Sequence, residues 1–312
     1  MPAAESDAMP RSYRYLHLDV FTNHLFGGNQ LAVVLDGRGL SAETMQAIAK
    51  EMAFSETTFV LPPERTGTDV RMRIFTPSEE LPMAGHPTIG SAFALARAGV
   101  IEPGRERFVF GLGIGPVPVS LTWRDKDLTF AWMTQLSPTF WEPIANPAGA
   151  AAALGLSEAA VAGTGLPVQV VSCGIPFLFV PLVTRRAVDS AAINRGAFDA
   201  LMRSAKAEAH GVFLFSRERG GDNARVYSRM FAPDLGVAED AATGSASGPL
   251  GCYLVRHKVV PPDKAASILS LQGMKMGRPS HVHISIGLEG GEISSVRVGG
   301  ESVLAGEGTL YV

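Results

Sequence analysis

Arg73-Ile-Phe-Thr-Pro77 is followed, eight residues on, by Gly85-His-Pro-Thr-Ile-Gly90 and a stretch of small residues. Far downstream, Arg229-Met-Phe-Ala-Pro233 is followed, eleven residues on, by Gly244-Ser-Ala-Ser-Gly248 and a second such stretch. Both read as strand, Phe-x-Pro, acidic loop, Gly-rich turn and helix. Each is preceded by a pair of apolar segments, at 15–35 and 168–183. The shared order of elements, added to the matched residues, marks an internal repeat. Two copies of one unit imply two similar domains facing each other, with any cleft between them.

Around the repeat, short runs rich in Val, Ile and Phe, bounded by Gly, Pro, Asn or Asp, carry the strand signal. They fall at 15–21, 31–35, 58–61, 70–75, 108–110, 117–121 and 128–133, then at 168–171, 177–183, 212–215, 226–231, 268–271 and 283–286. Helical windows are fewer: 42–52 capped by Ser41, 88–98, 157–162, 195–209 and 245–255. Strands outnumber helices and do not alternate with them, which predicts a mixed α+β fold over a doubly wound parallel sheet. The region 146–149, or the strands just before it, holds the boundary between the halves.

The chain has 312 residues, a net charge of −3, 46% hydrophobic and 18% charged residues, and two cysteines. The length suits two domains. The balanced charge offers no basic face for nucleic acid, and the apolar share argues against disorder. The longest apolar stretch, 170–183, is interrupted by Ser172, Gly174, Pro176 and Pro181, short of the roughly 18 unbroken residues of a membrane span. The polar N-terminus lacks the apolar core of a signal peptide, which points to a cytoplasmic protein with no membrane partner. Cys173 and Cys252 form neither a disulfide framework nor a Cys-x-x-Cys metal motif.

The two Gly turns carry the chemistry. The first N–H groups of a helix have no internal partner and sit at the positive end of its dipole, so a Gly-rich approach makes a ready anion site. Gly85 and Gly244 therefore become candidate substrate-binding positions, suited to a small carboxylate. Glu56, in Ser55-Glu-Thr-Thr-Phe59, stands at the mouth of a strand, where desolvation raises a carboxylate's pKa and suits it to exchange protons. His86 lies in the first turn and Asp240 four residues before Gly244, both candidate catalytic groups; Ser245 is positioned to cap the second helix and touch a ligand. Taken singly, each has an ordinary structural role that fits as well: a solvated acid, a turn donor, a cap.

Two further patterns lead elsewhere. His281-Val-His283 puts two imidazoles on one strand face, but no third ligand accompanies them, so no metal site is expected. Gly111-Leu-Gly113-Ile-Gly115 runs into Pro116 and Pro118, which predicts a strand-to-strand turn and no dinucleotide fingerprint.

The segments Asp19-Val-Phe-Thr-Asn23, Gly28-Asn-Gln-Leu-Ala-Val33, Ser55-Glu-Thr-Thr-Phe59, Arg73-Ile-Phe-Thr-Pro77, Leu81-Pro-Met-Ala-Gly-His-Pro87 and Ala238-Glu-Asp-Ala-Ala-Thr-Gly-Ser-Ala246 resemble the PhzF family of phenazine-biosynthesis-like isomerases. The resemblance spans nearly the whole chain. It implies the diaminopimelate-epimerase-like fold: two pseudo-symmetric halves, each a β-barrel-like sheet around a central helix, at 1–130 and 131–297, with the strand near 298–312 returning to the first half. It also implies a homodimer and isomerisation of trans-2,3-dihydro-3-hydroxyanthranilate by proton transfer, without metal, flavin or nucleotide. Glu56 matches the family's proton-shuttling acid; His86, Asp240 and Ser245 match residues around the substrate. Ala241 departs from the pattern, standing where a proline is common. Racemases of the same fold use two opposed cysteines, and the Gly turns align those with Ala84 and Thr243, neither of which can act as a base.

The expectation is a cofactor-independent isomerase of a small, possibly cyclic, carboxylate. Two other functions fit the same residues: an epimerase or dehydratase of a hydroxy amino acid using Glu56 and Asp240, and a non-catalytic binding protein on the same fold.

Overall fold

The computed structural model describes residues 11–232 and 237–312. Pro233 and the acidic loop after it, and the first ten residues, lie outside the described residues. The chain runs β1 (Ser12–Val20), β2 (Asn29–Val34), α1 (Ala42–Met52), β3 (Glu56–Leu61), β4 (Val70–Phe75), β5 (Glu80–Leu81), α2 (Gly85–Arg97), β6 (Arg107–Leu112), β7 (Gly115–Arg124) and β8 (Asp127–Thr134). It continues through β9 (Thr139–Phe140), α3 (Pro147–Ala153), α4 (Glu158–Ala162), β10 (Gln169–Ser172), β11 (Pro176–Leu182), α5 (Arg185–Ser190), α6 (Arg195–Ala205), β12 (Val212–Ser216) and β13 (Val226–Ala232). The last elements are β14 (Val237–Asp240), α7 (Gly244–Arg256), β15 (Ile268–Gln272), β16 (Ser280–Glu289), β17 (Glu292–Gly300) and β18 (Ser302–Tyr311).

The strands pair in one order, twice. β1 and β2 are antiparallel, β2 and β3 parallel, β3 and β4 antiparallel, β4 and β6 parallel, then β6, β7 and β8 antiparallel. β10, β11, β12, β13, β15, β16 and β17 repeat those senses step for step. The short β5 and β14 hang antiparallel on β4 and β13. Each set is completed by a strand that follows the other: β9 pairs with β10, and β18 pairs with β1 along its length. β8 and β17 pair with each other and join the two sets.

A helix sits at the centre of each set. Gly85 to Leu95 of α2 and Gly244 to Leu254 of α7 are all buried. A helix apolar on every side has to be covered on every side, and small residues let the strands come close: a Cβ at Gly90 would lie 2.6 Å from side-chain atoms of Leu31 and Val20. α2 packs in the core of Leu16, Leu31, Ile74, Phe108 and Val119; α7 packs in that of Phe177, Phe213, Phe215 and Ile284.

Two expected boundaries shift, with consequences for the site. α2 begins at Gly85, three residues earlier than the sequence suggests, because Pro87 is tolerated in a first turn, where its missing N–H has no partner to lose. His86 is thus a helical residue. α7 begins at Gly244 with Thr243 as N-cap, so Ser245 is the second helical residue and does not cap. The Gly111–Gly115 stretch is the β6–β7 hairpin turn.

Candidate active site

The starts of α2 and α7 abut. A Cβ added to Gly85 would lie 2.5 Å from backbone atoms of Gly244 and Ser245, and one added to Gly244 would lie 3.0 Å from Gly85 Cα. Only glycine permits this approach, and here the reason is contact, not backbone angle. Neither start is capped by a side chain. A cavity lies against both first turns, lined by Glu56, Ala84, Gly85, His86, Asp240, Thr243, Gly244 and Ser245. The rest of its wall is almost wholly apolar: Leu81, Met83, Ile175, Phe177, Met230 and Ala232, with Thr76.

One polar network ties the reactive side chains together. Asn29, at the start of β2, donates its amide to Asp240 Oδ1 (2.6 Å) and to the Ala242 carbonyl (3.0 Å), and lies 3.2 Å from His86 Nδ1. Ser55 Oγ donates to Asp240 Oδ1 at 3.1 Å, and Thr243 Oγ1 donates to Asp240 Oδ2 at 2.7 Å. On the other side of His86, Nε2 stands 3.2 Å from Glu56 Oε2. That approach lacks hydrogen-bond alignment, so both atoms are buried without a hydrogen-bonding partner. Buried polar atoms left open in this way, beside a cavity, are poised for a ligand.

The two carboxylates differ in their donors. Burial, then the nearby charge of Asp240, pushes the Glu56 pKa well above the ordinary carboxylate range. Burial raises Asp240 too, but the donors from Thr243, Asn29, Ser55 and the Ala241 amide pull it back. Two close carboxyls cannot both ionise cheaply, so the one with more donors is the readier anion: Asp240 ionises before Glu56. Burial pushes the His86 pKa down to about 3, so its ring is neutral.

The strand registers equate positions of the two sets, because Arg73 faces Phe59 as Arg229 faces Leu214. Glu56 then corresponds to Gly211, Asn29 to Ile175, Asp240 to Leu81, and His86 to Ser245. Neither carboxylate has an acidic counterpart. Ala84 and Thr243, the positions aligned with the racemase thiols, are the two N-caps and line the cavity. Cys173 and Cys252 are buried elsewhere, their Sγ atoms 3.9 Å apart, and the hydrogen-bonding contact with Cys252, then burial, pushes the Cys173 thiol up.

The structure thus brings Glu56, His86, Asp240, Gly85, Gly244 and Ser245 to one cavity. Four network members escaped the sequence reading as site residues: Asn29, Ser55, Thr243 and Gln272, whose amide bonds Thr243. Asn29 and Ser55 lie inside recognised segments but look like loop polars. Gln272 closes an apolar strand with no signal of its own. His283 packs edge-on against Phe130 at 5.2 Å, away from the cavity. No group of potential metal ligands occurs among the described residues.

Comparison with known proteins bears on the family and the fold. The profile of the phenazine biosynthesis-like protein family, PhzC-PhzF, matches residues 18–308. The trans-2,3-dihydro-3-hydroxyanthranilate isomerase of Pseudomonas aeruginosa is 39% identical over 300 residues, covering 96% of this chain and 100% of that protein. An uncharacterized isomerase of Mesorhizobium japonicum is 36% identical, covering 96% and 98%. The crystal structure of a PhzF-family protein from Bacillus anthracis superposes with a TM-score of 0.83 at 26% identity, over 97% of this chain and 100% of that one. The chain belongs to the phenazine biosynthesis-like family and is an isomerase.

Proposed function

We propose that the protein moves a proton between two carbons of a small carboxylate, with Glu56 giving its own proton to one carbon and collecting one from the other, side chains alone carrying the chemistry. The observation that carries this reading is the one-sided placement of acid and base. Asp240 has its oxygens occupied by Asn29, Ser55 and Thr243, whereas Glu56 Oε2 is open. Inversion at carbon needs a base on each face; a shift along the substrate needs one. With Gly211 and Leu81 at the matching places of the other set, the second base is missing, which favours the shift over the two-carboxylate epimerase.

A raised pKa brings the acid and base forms of Glu56 closer to balance near neutrality, as a group that must both take and give a proton requires. Neutral His86 orients Glu56 or the substrate at Nε2. The uncapped starts of α2 and α7 hold the substrate carboxylate and stabilise the negative charge that builds as the proton leaves. The cavity holds about 30 Å³, room for a water molecule or two, so its walls part to admit substrate.

The substrate of the Pseudomonas relative is the first compound to test. In deuterated water the protein converts it with deuterium entering at the new C–H bond. Glu56→Gln slows conversion by roughly 10²–10⁴-fold, the range of a lost general acid–base group. Equal rates and equal deuterium entry in both proteins refute the role of Glu56.

A further inference from the structure

Gln272, at the end of β15, is fully buried and does not itself line the cavity. Its Nε2 donates to the Asp240 carbonyl at 2.8 Å and to Thr243 Oγ1 at 3.0 Å, and its Oε1 accepts the Thr243 N–H at 3.1 Å. These partners fix the amide's orientation: turned over, it would set oxygen against a carbonyl and N–H against N–H. Because Oγ1 of Thr243 accepts from Gln272, its single hydrogen is aimed at Asp240 Oδ2, 2.7 Å away. Hydrogen bonds therefore run one way, from Gln272 through Thr243 to Asp240. Thr243, an N-cap by position, leaves the first turn of α7 uncapped as a result.

The repeat offers a control within the same chain. By register, Gln272 corresponds to Leu112, since Val226 faces Ser270 as Val70 faces Phe110. Thr243 corresponds to Ala84 and Asp240 to Leu81. The first set has an apolar residue at all three places and the second a polar one at all three. The three exchange together, as parts of one device do.

We propose that Gln272 is a positioning residue of the proton-transfer site: by orienting Thr243 it holds Asp240 as the standing anion and leaves the mobile proton on Glu56. The titratable groups that face Asp240 through the network are Glu56 from β3 and His86 from α2; Asn29, Ser55, Thr243 and Gln272 do not titrate. The consequence for turnover rests on the function proposed above, but the location of the proton does not, so the test has an arm that needs no substrate.

In Glu56→Gln, Asp240 is the network's remaining carboxyl, and infrared spectroscopy follows its protonated C=O band with pH. Adding Gln272→Leu, which installs the residue of the other set, raises the midpoint of that band by about one pH unit, the tenfold effect of a hydrogen bond to a charged group. Thr243→Val gives the same rise, Thr243→Ser restores the original midpoint, and Gln272→Leu with Thr243→Val together exceed neither alone. An unchanged midpoint, or rises that add, overturns the proposal. Should Gln272→Leu fail to fold, Thr243→Val against Thr243→Ser decides, because a midpoint equal in the two overturns it. In the enzyme with Glu56 intact, Gln272→Leu lowers kcat about tenfold with KM within about twofold. A wild type inert toward the substrate tested would count against the proposed function while the infrared arm still decides the role of Gln272.

Discussion

Replacing Glu56 by glutamine is expected to stabilise the protein, and more so as the pH rises. Glu56 is largely buried, with 13% of its side chain exposed; it faces Asp240 and has one buried oxygen without a hydrogen-bond partner. Its folded pKa therefore stands well above the 4.5 of an ordinary glutamate. Between those two values the native protein binds more protons than the unfolded chain, so stability falls as pH rises. The contribution is intact below 4.5 and lost once the pH passes the folded value. The slope is about 1.4 kcal/mol per pH unit within that window. Glutamine keeps the shape and drops the charge, so the difference between variant and wild type isolates the slope. With an unfolding entropy of about 2.1 cal/mol/K for each of 312 residues, it amounts to about 2 °C in melting temperature per pH unit. His86 acts in the opposite direction, since a pKa lowered to about 3 weakens the fold as pH falls below 6.5, but both proteins retain it. Thermal unfolding followed by circular dichroism from about pH 5 to about pH 8 makes the measurement. Parallel curves, or a variant that gains nothing at the alkaline end, would refute the claim that Glu56 is buried as an acid.

Three further outcomes follow from the packing. Gly85→Ala is expected to cost about 1–3 kcal/mol of stability in chemical unfolding and more than Gly244→Ala, because its Cβ meets backbone at 2.5 Å against 3.0 Å. Arg229→Met should cost about 3–5 kcal/mol: the Arg229 side chain is 7% exposed, pairs with Glu239 through both Nε and Nη2, and donates to the carbonyls of Val188 and Ala191. The matching Arg73→Met, facing a Glu80 that is 41% exposed, should cost under about 1 kcal/mol in the same assay. A disulfide-exchange reagent should label neither cysteine in the native protein and both in denaturant, because Cys173 and Cys252 are buried; rapid native labelling would contradict that.

The repeat made the architecture legible, because a strand–turn–helix order carries more information than any one run. The interior strands were readable for a simple reason: β2, β4, β12 and β13 are buried on one or both faces and so are rich in Val, Leu, Met and Phe. β18 was not read as a strand from its residues, since Ser302 to Tyr311 is partly exposed on both faces and carries two glycines. β5, β9 and β14 have only two to four residues and no period to detect. At the site, Glu56, His86 and Asp240 could be named because they adjoin the Gly turns or a strand mouth. Asn29 and Gln272 could not, because their importance lies in partners far away in sequence, Asp240 for one and Thr243 for the other. A polar residue at a strand end looks the same whether it faces water or a buried carboxylate.

The exchange of end strands has a consequence for synthesis of the chain. β1 is made long before its neighbour β18, and α2 is covered in part by that same later strand. The sheet around α2 therefore stays open along one edge until β18 has been made. The segment from β10 to β17 needs only β9 and β8, both made earlier, and can close first. Beyond the strand ends, Arg11 and Val312 exchange backbone hydrogen bonds at 2.8 and 2.9 Å, so the pairing of β18 with β1 is held at that end as well. A nascent chain stalled before β18 would hold a finished second half beside an unsealed first, with Glu56 in place on β3 and the core around α2 incomplete.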